Sequence, residues 1–411
     1  MSRAERVLLV STLYPPNVVG GAEVVVRNLA EGLHAQGHEV CVATLARHGN
    51  AADRIDSGVR VREYELRYRY WPFSDSKANM PSRFLWHVAD NFDPGFYIHL
   101  RTLIRSFVPT VVNTHNISGF TPAVWVSAHH TGHVPIVHTC HDYGLLCSRT
   151  TMFHHGQTCK SWCAPCRALT SGKRYLTRLV DGVVGVSKAV LEPHLERQLF
   201  ARACRTRVIH NAQAAAPASP RVLRADGPLR LGFMGRLSVE KGIVLLYEEL
   251  AELGGENIVL NVAGRGDIEL VDRLATERAV PTNRLGFVSP EAFYEKVDVL
   301  IVPSLWREPL GVVVLEAFRH GVPVIVSNRG GLPELVETGE NGFVFDPAMP
   351  GELKAIVQRL QNDRNLLRRL STGATIASDR FTIERMVRSY VDFYREVREH
   401  GCSRPVTKLA S

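Results

Sequence analysis

Short apolar runs alternate with amphipathic stretches along nearly the whole chain. In the first half the runs are VLLVST (7–12), HEVCVATL (38–45), VRVREYEL (59–66), TVVNTH (110–115), PIVHTCH (135–141), GVVGVS (182–187) and RVIHN (207–211). In the second half they are LRLGFMG (229–235), IVLNVAG (258–264), RLGFV (284–288), VDVLIVPS (297–304), PVIVS (323–327) and GFVFD (342–346). Most are continuous rather than alternating, which is the pattern of strands covered on both faces. The stretches between them read as helices, the first over Ala22–Gln36 and closed by Gly37. Strand and helix in turn predict an α/β fold with parallel sheets.

With 411 residues the chain exceeds the usual size of one domain. The Ala- and Pro-rich stretch Ala212–Pro228 carries little core material and reads as a linker. We therefore expect an N-terminal domain over 1–211, a linker over 212–228, a second domain over 229–382, and a C-terminal amphipathic helix and tail over 383–411. Residues 67–95 break the rhythm with an aromatic and basic segment. It reads either as a surface helical insertion or as an edge facing an acceptor or a membrane.

Composition adds limits. The apolar content of 45% and charged content of 22% suit an ordinary globular protein. A net charge of +8 favours anionic partners without choosing among them. The start, MSRAERVLLVST, has no signal-peptide core, because Tyr14-Pro15-Pro16 cuts the apolar run short. No stretch reaches about 18 apolar residues, the length a membrane span requires. The expectation is a cytoplasmic protein that at most sits on the inner membrane face. Its eight cysteines are then expected to be reduced.

Candidate chemistry concentrates in Pro303–Val336. A strand ends there, a loop with Arg307 and Glu308 follows, and Gly311 opens an apolar helix carrying Glu316. A strand, a polar loop and a helix N-terminus collect phosphate at free backbone N–H groups. Two carboxylates eight residues apart suggest a ligand with hydroxyls as well as phosphate, such as a nucleotide sugar. GRLSVEKG, Gly235–Gly242, places Arg236 and Lys241 at another strand's carboxyl end, where open α/β sheets bind ligands. Two cations there suit a diphosphate.

These motifs together resemble the family 4 retaining glycosyltransferases of the GT-B fold. The matching pieces are PPNVVGGAE (15–23), HD (141–142), GVSK (185–188), VIHN (208–211), GR…EKG (235–242), VAGRG (262–266), GFV (286–288), PSLWREPLGVVVLEAF (303–318) and GGLPELVETGENGFVFDP (330–347). The resemblance spans nearly the whole chain. It implies two Rossmann-like domains facing each other across a cleft, with the final helix returning to the first domain. By the same resemblance, Arg236 and Lys241 hold the donor diphosphate, Glu316 holds the ribose, and Glu308 meets the donor sugar. The N–H groups of Gly311, Val312 and Val313 meet phosphate or sugar. Gly20 and Gly21 let backbone approach the donor phosphate. His141 lies near the reaction centre, and Phe287 and Val288 lie along the base. Retention of anomeric configuration is implied. The sequence contains no Asp-x-Asp pair, and the expectation is catalysis without a cofactor, with a nucleotide sugar as donor substrate.

One feature lies outside that core. Cys147, Cys159, Cys163 and Cys166 crowd into twenty residues after the HD pair. Four thiolates suffice for a tetrahedral zinc, with His154 or His155 as substitutes. An iron–sulfur cluster and uncoordinated or redox-active thiols are the other readings. The loop's position suggests that it shapes the acceptor pocket. The expected partners are a nucleotide-sugar donor and a glycan or lipid-linked acceptor, with peripheral membrane contact. The rivals are a nucleotide-sugar epimerase or hydrolase of the same fold and a zinc-containing nucleic-acid-binding module. Basic residues scattered through both halves, without a recognition motif, argue against nucleic acid.

Overall fold

The computed structural model describes residues 4–47, 51–66, 80–159, 161–214, 224, 227–253 and 257–399. Most of the Ala212–Pro228 linker, the tail after 399 and much of the 67–95 segment lie outside the described residues. The chain forms two sheets. The first is built from β1 (Arg6–Val10), β2 (Glu39–Ala46), β3 (Asp53–Asp56), β4 (Val59–Glu65), β5 (Val111–Thr114) and β6 (Ile136–Cys140). A small hairpin, β7 (Phe153–His154) and β8 (Gln157–Thr158), stands apart, and β9 (Gly182–Gly185) and β10 (Arg205–Val208) complete the sheet. The second sheet contains β11 (Leu229–Met234), β12 (Ile258–Ala263), β13 (Thr282–Gly286), β14 (Val299–Val302), β15 (Val324–Ser327) and β16 (Gly342–Phe345).

Strand order explains where a ligand can sit. The first sheet runs β10-β9-β6-β5-β1-β2-β4-β3 and the second runs β13-β12-β11-β14-β15-β16. In each, the chain starts in the middle, builds outward to one side, then crosses to the other. The crevice outside the carboxyl ends opens at that reversal, between β1 and β5 and between β11 and β14. The second sheet is parallel throughout. The first departs from the expectation at one edge, where β3 pairs antiparallel with β4. The cause is local. Ser57 and Gly58, both at positive φ, join the two strands in a two-residue turn, which only an antiparallel hairpin can use.

Apolar side chains pack on both faces of both sheets. The C-terminal helix, Ile383–Glu399, packs against the helix Gly21–Ala35 of the first domain. Gly32 makes room for it, since a Cβ there would lie 2.6 Å from Val387 Cγ2. Its buried stripe, from Met386 to Val397, joins the core under β1 and β5. Asn113 Nδ2 donates to Tyr394 Oη at 2.7 Å, so a buried polar pair ties the helix to β5. The chain crosses back beside the linker, where Gln213 N donates to Phe381 O at 3.0 Å. Among the described residues no helix is long and apolar enough to cross a membrane.

Candidate active site

The loop after β1 reaches the second domain. Gly20 caps the helix Gly21–Ala35 in an extended conformation, and its amide donates to Glu23 Oε2 at 2.9 Å. A Cβ on Gly21 would stand 3.1 Å from Val312 Cγ2. Two helix starts, Gly21–Ala35 and Val312–Arg319, therefore meet across the cleft, and the positive ends of both helix dipoles face it.

The donor-side loops are fixed by close backbone approach. Gly242 adopts a left-handed conformation (φ 78°), and a Cβ there would sit 1.8 Å from Pro303 O. That contact binds the loop after β11 to the loop after β14. It brings Lys241 Nζ to 2.6 Å from Glu308 Oε1. Ser304 Oγ at 2.7 Å and Trp306 Nε1 at 2.9 Å donate to the same oxygen. The Lys241 ammonium also lies 5.0 Å from the centre of the Trp306 ring. Gly331 N donates to Glu308 O at 2.8 Å. The resemblance implies separate contacts of Lys241 to phosphate and Glu308 to sugar; in the structure the two side chains form one partly buried ion pair.

Gly311 opens the next helix from a left-handed conformation (φ 97°), with Leu332 packed where a Cβ would be. Val312 and Val313 form its first turn, and Val313 O accepts from Tyr294 Oη at 2.9 Å. Glu316 lies one turn on. Burial raises its carboxyl to about 7, Glu291 adds to the shift, and Arg319 opposes it. Arg236 stands in the open, 63% exposed and 3.8 Å from Glu240, so it is available to an incoming anion. Phe287 lies just past the end of β13 and is 76% exposed, with the Arg265 guanidinium 4.4 Å from its ring centre. Val288 is half-buried beside it.

Across the cleft, His115 follows β5 and His141 follows β6. His115 Nδ1 and His141 Nε2 are 2.8 Å apart. Burial holds His141 down to about 4. His115 is also held well below its ordinary value, by burial first and then by His141 and His138. Both rings are neutral at physiological pH. Asp142 accepts from Gly144 N at 2.6 Å within its own turn, and burial raises its carboxyl.

Several contributors were not legible in the sequence. Ser187 Oγ donates to Pro309 O. The Glu334 carboxylate accepts from Lys188 N and Ala189 N, each at 2.9 Å, and approaches His210 Nε2 at 3.4 Å. Burial alone would raise Glu334, but the bonds from His210 and the two amides bring it below the ordinary value. The GVSK, VIHN and GGLPE segments thus form one clasp between the domains. Ser187 announces itself as a helix cap; its partner, over a hundred residues on, does not.

The cysteine loop follows β6 and carries the four candidate thiols. Cys147 Sγ and Cys166 Sγ lie 3.9 Å apart. Cys163 is exposed at the start of the helix Ala164–Leu169, and Cys159 is half-buried. Among the described residues no three His, Cys, Asp or Glu side chains are grouped to hold a metal ion. The loop is anchored by Trp162 Nε1 donating to Leu146 O at 2.7 Å, with Arg174 4.0 Å from the Trp162 ring centre.

Comparison with known proteins agrees with this architecture. Residues 20–212 match the glycosyl transferase 4-like domain and residues 217–376 match glycosyl transferases group 1. An uncharacterized 42.6 kDa protein in a cps region of Klebsiella pneumoniae is 30% identical over 80% of this chain and 87% of its own. Glycogen synthase of Mycobacterium tuberculosis is 28% identical over 90% of this chain and 89% of its own. Sucrose-phosphate synthase of Thermosynechococcus elongatus superposes with a TM-score of 0.75 at 21% identity, covering 96% of this chain and 99% of that one. Anabaena HepE, solved in complex with UDP, gives 0.69 at 18% identity, covering 95% and 99%. With both halves matched by these family models and both sheets arranged as in these neighbours, the chain belongs to the group 1 glycosyl transferases with a 4-like N-terminal domain, and is a glycosyltransferase of the GT-B fold.

Proposed function

We propose that the enzyme moves a hexose-type sugar, with retention, from a nucleotide sugar to a glycan or lipid-linked acceptor in cell-surface polysaccharide or glycolipid synthesis. It would work in the cytoplasm, at the inner face of the membrane. The observation that carries the reading is the joining of the loops after β11 and β14 by the Lys241–Glu308 pair, beside the helix start at Gly311–Val313. A cation, a carboxylate and a helix start beside the crevice of the second sheet support a phosphate- and hydroxyl-bearing ligand. The UDP complex of Anabaena HepE supports a nucleotide-sugar donor.

The roles follow from charge. Departure of the nucleoside diphosphate leaves positive charge on the sugar and negative charge on the phosphates. Arg236, Lys241 and the amides of Val312 and Val313 stabilise the phosphates, already oriented before reaction. Glu308 accepts from sugar hydroxyls as Lys241 turns toward phosphate. Glu316 accepts from the ribose diol, and the base lies along Phe287 and Val288. Gly20 and Gly21 close on the phosphates from the other domain. His141 faces the sugar, and the cysteine loop walls the acceptor side.

A thermal-shift panel of UDP-, GDP-, ADP- and TDP-sugars tests the donor class. One nucleotide series should raise the melting temperature through mass action. Nucleoside diphosphate release should then depend on added glycan or glycolipid acceptor. Equal release without acceptor would favour a hydrolase or epimerase instead.

A further inference from the structure

Two neutral imidazoles in contact share one proton, and their surroundings decide which ring supplies it. His115 and His141 extend adjacent parallel strands, so the β5–β6 pairing fixes their spacing. The ring centres are 5.1 Å apart at an interplanar angle of 35°, and the Nδ1···Nε2 distance of 2.8 Å is a hydrogen bond. At that distance, two N–H groups or two bare nitrogens would repel.

His115 is 1% exposed, and its Nε2 is buried without a hydrogen-bond partner. If His141 were the donor, His115 would have to carry its own proton on Nε2. That would bury an N–H with no acceptor, the arrangement folded proteins avoid most consistently. If His115 donates from Nδ1, its Nε2 is only an unused lone pair. His141 then accepts at Nε2 and keeps its proton on Nδ1, the opposite side of the ring from His115. The second hydrogen bond of a histidine sets its tautomer in just this way.

We propose that His115 is a positioning residue that locks His141 in the Nδ1–H tautomer. His141 then enters the reaction as a hydrogen-bond donor to the sugar or acceptor, not as a base. The proposal rests on the reading that His141 faces the reaction centre.

The test is long-range ¹H–¹⁵N spectroscopy of the full-length, histidine-labelled enzyme at pH 7.5, with His141 signals assigned by their loss in His141→Gln. The wild type should show an Nδ1–H pattern for His141. In His115→Phe the pattern should move toward Nε2–H, with kcat for sugar transfer falling on the order of tenfold or more while KM for the donor changes little. His115→Asn, which restores a donor near the same place, should recover the tautomer and much of the rate. An Nε2–H pattern in the wild type overturns the proposal, as does a His115→Phe enzyme that keeps both its tautomer and its kcat. Turnover of His141→Gln separates the two failures. If it equals the wild type, the placement of His141 at the reaction centre is what fails; if it is lost while the wild type shows Nε2–H, the tautomer proposal fails alone.

Discussion

Glu316 shows how one side chain's surroundings set a measurable behaviour. Its carboxyl is raised to about 7 by burial and by Glu291, with Arg319 opposing and Tyr294 adjacent. A carboxylate can accept from both ribose hydroxyls; the protonated acid cannot do so equally. Donor binding should therefore release a proton at or below pH 7, and affinity should rise with pH up to about 7 and then level off. Titration calorimetry in buffers of different ionisation enthalpy checks this, and Glu316→Gln should abolish the proton release. At this scale the sequence speaks to position wherever contacts are local: Arg236, Lys241, Glu308 and Glu316 sit next to strand ends and glycines whose spacing is visible in two short segments. The contacts of His115 and Glu334 are not legible in the sequence, because they form between chain segments that only the fold brings together.

Elements were legible to the extent that their signals are periodic. The apolar runs became strands with ends moved by at most three residues, and the C-terminal amphipathic stretch became the helix Ile383–Glu399. The hairpin β3–β4 was missed because DRID is too short and too polar to register beside VRVREYEL. The clasp between domains was missed for a different reason. Its parts are a helix start at Ser187–Ala189 and a carboxylate on a 3-10 turn at Glu334, and neither implies the other. Glu334→Ala removes the two cap bonds. We expect a loss of about 1 kcal/mol in stability and a rise in donor KM larger than any fall in kcat, since the carboxylate bonds the second domain to the first. Denaturant melts and steady-state kinetics on one preparation measure both.

At the scale of the molecule, the buried histidines make stability depend on pH. Burial lowers His138 to about 3 and His141 and His194 to about 4, with His115 also well below its ordinary value. The unfolded chain binds protons at these sites below pH 6.5 and the folded chain refuses them. Their contribution is full above 6.5 and is lost as pH falls from 6.5 toward 4, at about 1.4 kcal/mol per pH unit for each histidine. Glu23, Asp142 and Glu316, raised by burial, act with the opposite sign and offset part of it. Urea melts should show a clearly lower unfolding free energy at pH 5.5 than at 7.5; equal values would contradict the neutral, buried state of these rings.

The proposed donor site joins the loops after β11 and β14 of the second domain, and that is the claim most open to direct test. Titration calorimetry of the best-binding nucleotide sugar against wild type and an Arg236→Ala, Lys241→Ala double variant measures it. The account predicts saturable binding to the folded wild type and a loss of roughly a hundredfold or more in the double variant, since two charge-assisted phosphate contacts go with the cations. Unchanged affinity in the double variant would contradict it.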